Sequence, residues 1–277
     1  MRIAVLGLGR MGAPIARGLG AHHDVVVYDP VVAPGDPVAL AASVEVLVTV
    51  LPGTAEAAAL PPVLAALRPG ALWLDLTSSD PRVTQHLARQ PKTQEIDVVG
   101  APMAGGPAAA EANLLRFHVG GAPAAVERAR PLLELLGTVD VVGENVGDGY
   151  TAKLLANLLW FGQVVAVSEA LLLGQSLGIE PGRLRATLAR GAGGSVFIDE
   201  YLDSLLGGDY LETFGLDRVV EELDTLASLA RQEGVPFELS ELVARLHREA
   251  LERFGAVPGE LLAAKLLEER AGRTLRG

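Results

Sequence analysis

The chain has 277 residues, 49% of them hydrophobic, a formal net charge of −11 and no cysteine. That length fits one large or two ordinary domains, and the apolar share suffices to bury a sizeable core. The acidic balance and the lack of any Lys/Arg run argue against nucleic acid and anionic membrane as main partners. Zero cysteines exclude disulfides and thiolate chemistry, and His22, His23, His86, His118 and His247 show no ligand-like spacing, so no metal site is expected.

Residues 2–7, RIAVLG, read as a first strand, and a short strand running into glycines explains this apolar start better than a signal peptide. Gly7-x-Gly9-x-x-Gly12 follows at once and opens a helix over 12–21. There Gly7 permits a tight turn, Gly9 lets a pyrophosphate approach the backbone, and Gly12 lets helix and strand pack closely. The helix N-terminus adds N–H donors and the positive end of its dipole. Gly7, Leu8, Gly9, Arg10, Met11 and Gly12 are therefore cofactor candidates. The second strand, 24–29, ends at Asp29, where a carboxylate can accept from the adenosine ribose hydroxyls. The following PVVAPGD holds no arginine for a 2′-phosphate, which favours NAD without excluding NADP. A methyltransferase on the same fold would want an acidic residue there too.

Further strands are expected at 44–50, 71–76, 95–100, 116–120 and 138–143, with helices at 55–67 and 123–136 between them. Continuous apolar strands alternating with helices predict a mostly parallel sheet covered on both faces, a doubly wound α/β Rossmann arrangement. The loops 49–56 and 75–81 follow strand ends and should face one cleft. Leu51 and Pro52 in the first are candidate cofactor contacts. Thr77 in the second is a candidate for the nicotinamide ribose or the substrate, with Ser79 or Asp80 capping the next helix ahead of Pro81.

After about residue 148 strand signals stop. A long helix is expected over about 149–177, ending near Gly178, and others near 181–190, 195–206, 215–233 and 238–254. The charge-free run between Lys153 and Glu169 falls below membrane-span length and reads as a buried helix, so a soluble, cytoplasmic protein is expected. The chain then divides into a dinucleotide-binding domain, 1–148, and an all-α domain, 149–277, joined by the long helix.

Only three of the 23 Lys and Arg residues are lysine, Lys92, Lys153 and Lys265. On a helix Gly149, Lys153 and Asn157 share one stripe, and Lys153 leans over the turn of Gly149, where a glycine is expected to leave open space beside the ammonium. Lysine can give up its proton once desolvated or near positive charge, which arginine cannot. A lysine snorkelling from a partly buried helix fits the spacing equally well.

The motifs GLGRMG (7–12), GAPMAGG (100–106) and GDGYTAKLLAN (147–157), in this order, resemble the β-hydroxyacid dehydrogenase family, which includes 3-hydroxyisobutyrate dehydrogenase-like enzymes, over nearly the whole length. The resemblance implies a homodimer or homotetramer, Lys153 as catalytic general acid/base with Asn157 as its partner, and substrate binding by Met103, Ala104, Gly105 and Gly106. The N–H groups of Gly105 and Gly106 could hold a carboxylate. Ala104 stands where the family has a serine, Ala156 where many members have a second asparagine, and Glu221-Glu222 where a Lys-Asp pair is common. Ser195 matches a serine near the family's pocket, or caps a helix. The implied activity is NAD(P)-dependent hydride transfer to or from a small β-hydroxy acid. The alternatives are reduction of imines or other carbonyls, or dinucleotide binding without catalysis.

Overall fold

The β-branched and leucine-rich runs of the first half become strands because both faces of each find apolar cover. In the computed structural model, which describes residues 1–276, the elements run in order β1 (Arg2–Leu6), α1 (Gly12–Gly20), β2 (Asp24–Tyr28), α2 (Pro37–Ala42), β3 (Val46–Thr49), α3 (Thr54–Ala58), α4 (Pro61–Leu64), β4 (Leu72–Asp75) and α5 (Pro81–Ala88). After a 3-10 turn follow β5 (Asp97–Gly100), β6 (Met103–Ala104), α6 (Gly106–Glu111), β7 (Leu115–Gly121), α7 (Pro123–Glu134), β8 (Gly137–Gly143) and the long α8 (Asp148–Ser176). Helices α9 (Pro181–Ala189), α10 (Leu202–Gly207), α11 (Leu216–Glu233), α12 (Glu238–Phe254) and α13 (Leu262–Ala271) complete the chain. Two compact units divide it, Met1–Lys153 and Leu154–Gly277.

The first unit holds one sheet in the order β2-β1-β3-β4-β5-β7-β6, with β8 also paired to β7. Strands β1 to β5 are parallel, in registers such as Ile3↔Val46 and Val46↔Leu72, whereas β7 runs antiparallel to β5 and β6. Every residue of β3 and β4 is buried, as a sheet covered on both faces requires. Alternate residues feed two cores. Ile3, Val5, Val48 and Leu74 join Ile15 of α1 and Leu132 of α7. Ala4, Leu6, Leu47 and Trp73 join Val63 and Leu64 of α4. Each such leucine or isoleucine contributes about 1.5–3 kcal/mol on burial.

The helix expected over 55–67 is two short ones. Pro61 and Pro62 have no N–H to continue the first, and Pro61 instead opens α4. Helix α5 opens at Pro81 behind its Asp80 cap, as expected, whereas the two-residue β6 and helices α2, α6 and α13 carry no clear signal in the sequence.

In the second unit α8 is apolar all round because it serves two cores. Phe161 and Val165 pack with Val219 and Leu223 of α11 and Val243 of α12, while Val164 and Leu171 pack with Phe197 and Leu205. The helix continues past Glu169. Its 29 residues, with a mean hydropathy of 1.5 in the best 18-residue window, are long and apolar enough to cross a membrane by length and composition alone, although the charge-free run itself still ends at Lys153 and Glu169. The segment expected as one helix over 195–206 opens with a π-helical turn, Phe197–Tyr201, before α10. Helix α11 stops where Gly234 takes a left-handed conformation.

Candidate active site

In the sheet order, β1 is flanked by β2 on one side and β3 on the other, so the loops leaving β1 and β3 diverge at a crevice beyond the carboxyl ends of the strands. The glycine turn sits there. Gly7 has φ +95°, and a Cβ on it would run into the Val50 carbonyl; one on Gly12 would run into the Gly7 carbonyl. Around Gly9 nothing lies within 4 Å of a Cβ position. Two glycines thus draw strand and helix together, and the third leaves a cradle in front of the N-terminus of α1 (N-cap Met11). Arg10 is exposed on the same turn.

Asp29 ties this loop to the end of β2. Its Oδ2 accepts from Leu8 N at 2.9 Å, and its Oδ1 accepts from Val31 N at 2.9 Å and Val32 N at 3.2 Å. These N–H bonds, that of Leu8 foremost, hold its carboxyl below the usual range. A carboxylate has about four acceptor positions, so capacity remains for a ribose hydroxyl. The cradle, the helix N-terminus and this carboxylate together fit a dinucleotide.

In the neighbouring loops Pro52 is exposed and Leu51 half-buried. Thr77, expected at the ligand, is 1% exposed, and its Oγ1 accepts from Leu51 N at 3.1 Å. Its hydroxyl pins the loops after β3 and β4 together. Asp80 caps α5 by accepting from Arg82 N.

Beneath these loops lies a buried polar network that no sequence motif announced. The Asp75 carboxylate accepts from Thr49 Oγ1 (2.7 Å), Thr84 Oγ1 (3.3 Å), Thr77 N (3.1 Å) and Tyr150 Oη (2.5 Å). Burial, and then the nearby Asp75 carboxylate, pushes the Tyr150 phenol far up, so it stays a donor. Tyr150 lies in the first turn of α8, which three glycines bring directly onto the sheet. A Cβ on Gly100 would strike the Tyr150 ring, one on Gly120 the Asn145 carbonyl, and one on Gly149 the His118 carbonyl. Gly149 is therefore a packing glycine, and the open space expected beside Lys153 at that position is not there.

Lys153, one turn further along, is half-buried. Its neighbour is His118, which carries the ring on the same face of β7 that Gly120 presents to α8. The His118 N–H donates to Pro102 O at 2.9 Å, and its Nδ1 lies 4.0 Å from Asp140 Oδ2. Burial first, and then the Lys153 charge, lowers the imidazole's pKa against the pull of Asp140. Nothing in the spacing of His118 pointed to this. Strand pairing over a long separation brings it there.

In the segment 103–106, Met103 belongs to β6 and its side chain is 8% exposed in the first core. Ala104 is half-buried and pairs with Arg116. Gly105 (φ +118°) and Gly106 (φ +67°) turn the chain into α6, with open space around Gly106. Within the second unit, Asn157 Nδ2 donates to Glu222 Oε2 at 2.6 Å, and Glu222 is itself buried. Ser195 Oγ accepts from Ile198 N at 3.3 Å, the capping role of its two expected ones.

A parallel sheet with a glycine cradle and an acid after β2, followed by an all-helical part, defines the class of NAD(P)-dependent dehydrogenases. Residues 2–147 match the family model of the NAD binding domain of 6-phosphogluconate dehydrogenase, and residues 147–267 that of NAD-binding of NADP-dependent 3-hydroxyisobutyrate dehydrogenase. The chain belongs to the β-hydroxyacid dehydrogenase family, whose reactions are on CH–OH groups with NAD(P). It is 28% identical to 2-(hydroxymethyl)glutarate dehydrogenase of Eubacterium barkeri, over 89% of this chain and 88% of that one. It superposes on Mycobacterium tuberculosis 3-hydroxyisobutyrate dehydrogenase, solved with L-serine, with TM-score 0.86 and 25% identity over 96% and 98% of the two chains. A Streptomyces aurantiacus imine reductase shares the fold at TM-score 0.59 and 19% identity over 96% and 99%.

Proposed function

We propose that the protein oxidises a β-hydroxy acid, or reduces the corresponding carbonyl, with Lys153 moving the proton. The observation that carries this is the half-buried lysine on a helix turn fastened to the sheet by Tyr150 and Gly149, in the unit that holds the dinucleotide cradle. Bound nicotinamide supplies the hydride acceptor or donor. Gly7 to Gly12 hold the pyrophosphate, and Asp29 accepts from the adenosine ribose. The N–H groups of Gly105 and Gly106 bind the substrate carboxylate. Lys153 takes the proton from the substrate hydroxyl in oxidation and returns it to the carbonyl oxygen in reduction. Asn157, fixed by Glu222, orients that oxygen. NAD is the preferred cofactor, with NADP also admitted.

The helical part, from residue 149 on, serves substrate binding and self-association as a homodimer or homotetramer, and the protein acts in the cytoplasm on a small molecule. A second reading, reduction of an imine or another carbonyl, is favoured by Ala104, which removes the hydroxyl expected beside the carboxylate. The test is a panel of 3-hydroxyisobutyrate, 3-hydroxypropionate, L-serine and a cyclic imine, each with both cofactors, followed by nicotinamide absorbance. Turnover of a hydroxy acid with NAD preferred is expected, because Asp29 repels a 2′-phosphate. Turnover of the imine alone, or a tenfold or greater preference for NADP(H), contradicts this reading.

A further inference from the structure

Strand β7 sorts its side chains between two faces. Leu115, Phe117 and Val119 enter the core shared with α1 and α7, as does Met103 of β6. Side chains alternate along a strand, so Ala104, Arg116 and His118 stand on the other face. Gly120 ends that row, and a Cβ on it would meet Asn145 O and Gly149 N. This is therefore the face on which the first turn of α8 lies, and Arg116, His118 and the turn carrying Lys153 line it together within the first unit. Register completes the row. Arg116 pairs directly with Ala104 on β6 and with Thr138 on β8, whereas His118 pairs with Asp140. The acid of the row thus stands at His118, 4.0 Å from its ring, and Arg116 has an alanine on one side and a threonine on the other. Its side chain is exposed and enters no hydrogen bond or ion pair among the described residues. Burial, and then the Lys153 charge, lowers the pKa of His118, which leaves Arg116 as the permanent cation beside the lysine turn.

We infer that Arg116 binds the substrate carboxylate, supplying from the facing strand the contact that Ala104 lacks, and so restricts the enzyme to acids. The inference rests on the reading of Lys153 as the proton-transfer group and of the Gly105–Gly106 turn as the seat of the carboxylate. Cβ atoms of directly paired residues lie about 5 Å apart, and an alanine fills little of that gap. The guanidinium has room to reach over position 104 toward the open space at Gly106. There it can meet a carboxylate with two parallel N–H bonds, a stronger contact than one hydroxyl makes. A serine hydroxyl also accepts hydrogen bonds, whereas an arginine only donates. Exchanging one for the other selects an anion over a neutral carbonyl, and repels an imine in its protonated form.

The test compares wild type, Arg116→Met and Arg116→Lys, with NAD, on 3-hydroxyisobutyrate, 3-hydroxypropionate and L-serine and on the methyl ester of each. The ester keeps the reacting alcohol and removes the negative charge. Wild type is expected to prefer an acid to its ester. Arg116→Met should raise KM for the acid by about tenfold to a hundredfold, the share of a charge-assisted pair. Its kcat should stay within about threefold, because the carboxylate is held alike in the ground and transition states. The ester's kcat/KM should not move, so the acid-to-ester preference collapses. Arg116→Lys should keep part of the preference, since it retains the charge without the fork. A merely structural loss lowers acid and ester alike and leaves their ratio where it was. Wild type that turns over acid and ester equally well, or an acid-to-ester ratio unchanged in Arg116→Met, overturns this inference and leaves the proposed function standing. No turnover of any of these compounds by wild type overturns the hydroxy-acid reading and this inference with it.

Discussion

His247 sits in the core of the helical unit with its ring tilted against Phe161 at 5.5 Å. Its Nδ1–H donates to Val243 O at 2.9 Å, and Nε2 is buried without a partner among the described residues. Burial lowers its pKa from 6.5 to about 4. The folded chain therefore keeps the ring neutral where the unfolded chain takes up a proton. The unfolded state binds more protons between those two values, so the stability from this group is intact above 6.5 and is lost as pH falls toward 4. The full difference is about 3 kcal/mol, and His118, lowered in the same direction, adds to it. Urea unfolding at pH 7.5 and at pH 4.5 should show this decline, and His247→Leu should flatten it. An equal decline in the variant would refute the assignment. At this scale the sequence was readable where a residue's role is local. Asp80 precedes a proline and caps the helix that follows, as its position suggests. What His118 and Thr77 touch is not legible in the sequence, because strand pairing and loop packing decide it.

Helix α8 meets the sheet in its first turn, where Gly100 and Gly120, directly paired in register, lie under Tyr150 and Asn145. An alanine inside a helix usually stabilises by about 0.5–1 kcal/mol relative to glycine. At Gly149 the added methyl meets the His118 carbonyl, and overpacking of this kind costs about 1–3 kcal/mol. Gly149→Ala should therefore lower the denaturation midpoint and shift the lysine turn, reducing kcat more than cofactor affinity. A variant of wild-type stability and kcat would show that the close approach does not matter. The strands β3 and β4 were legible because burial on both faces leaves an uninterrupted apolar run. The two-residue β6 was not, since so short a strand has no period of its own. The break at Pro61 follows from proline chemistry that the apolar run around it obscured. Gly149 was legible as a glycine on the lysine stripe, but a helical pattern does not reveal what lies beneath it.

Over the whole molecule the charge is −11, so the overall field does not draw in an anionic dinucleotide or a carboxylate. Local donors must do so: the N–H groups of the glycine turn and of Gly105 and Gly106, and the ammonium of Lys153. The order of motifs along the chain, strand–glycine turn–helix first and lysine helix after the last strand, was enough to define the class, because that order is the order of the sheet and of the helix that leaves it. Lys153 closes the first unit and Leu154 begins the second. The most direct measurement is steady-state turnover with a β-hydroxy acid and NAD, together with NADH affinity, for wild type, Lys153→Ala and Lys153→Arg. The account predicts a loss of about 10²–10⁴-fold in kcat for both variants with NADH affinity nearly unchanged, since arginine keeps the charge but cannot exchange the proton. Full turnover by either variant would contradict it.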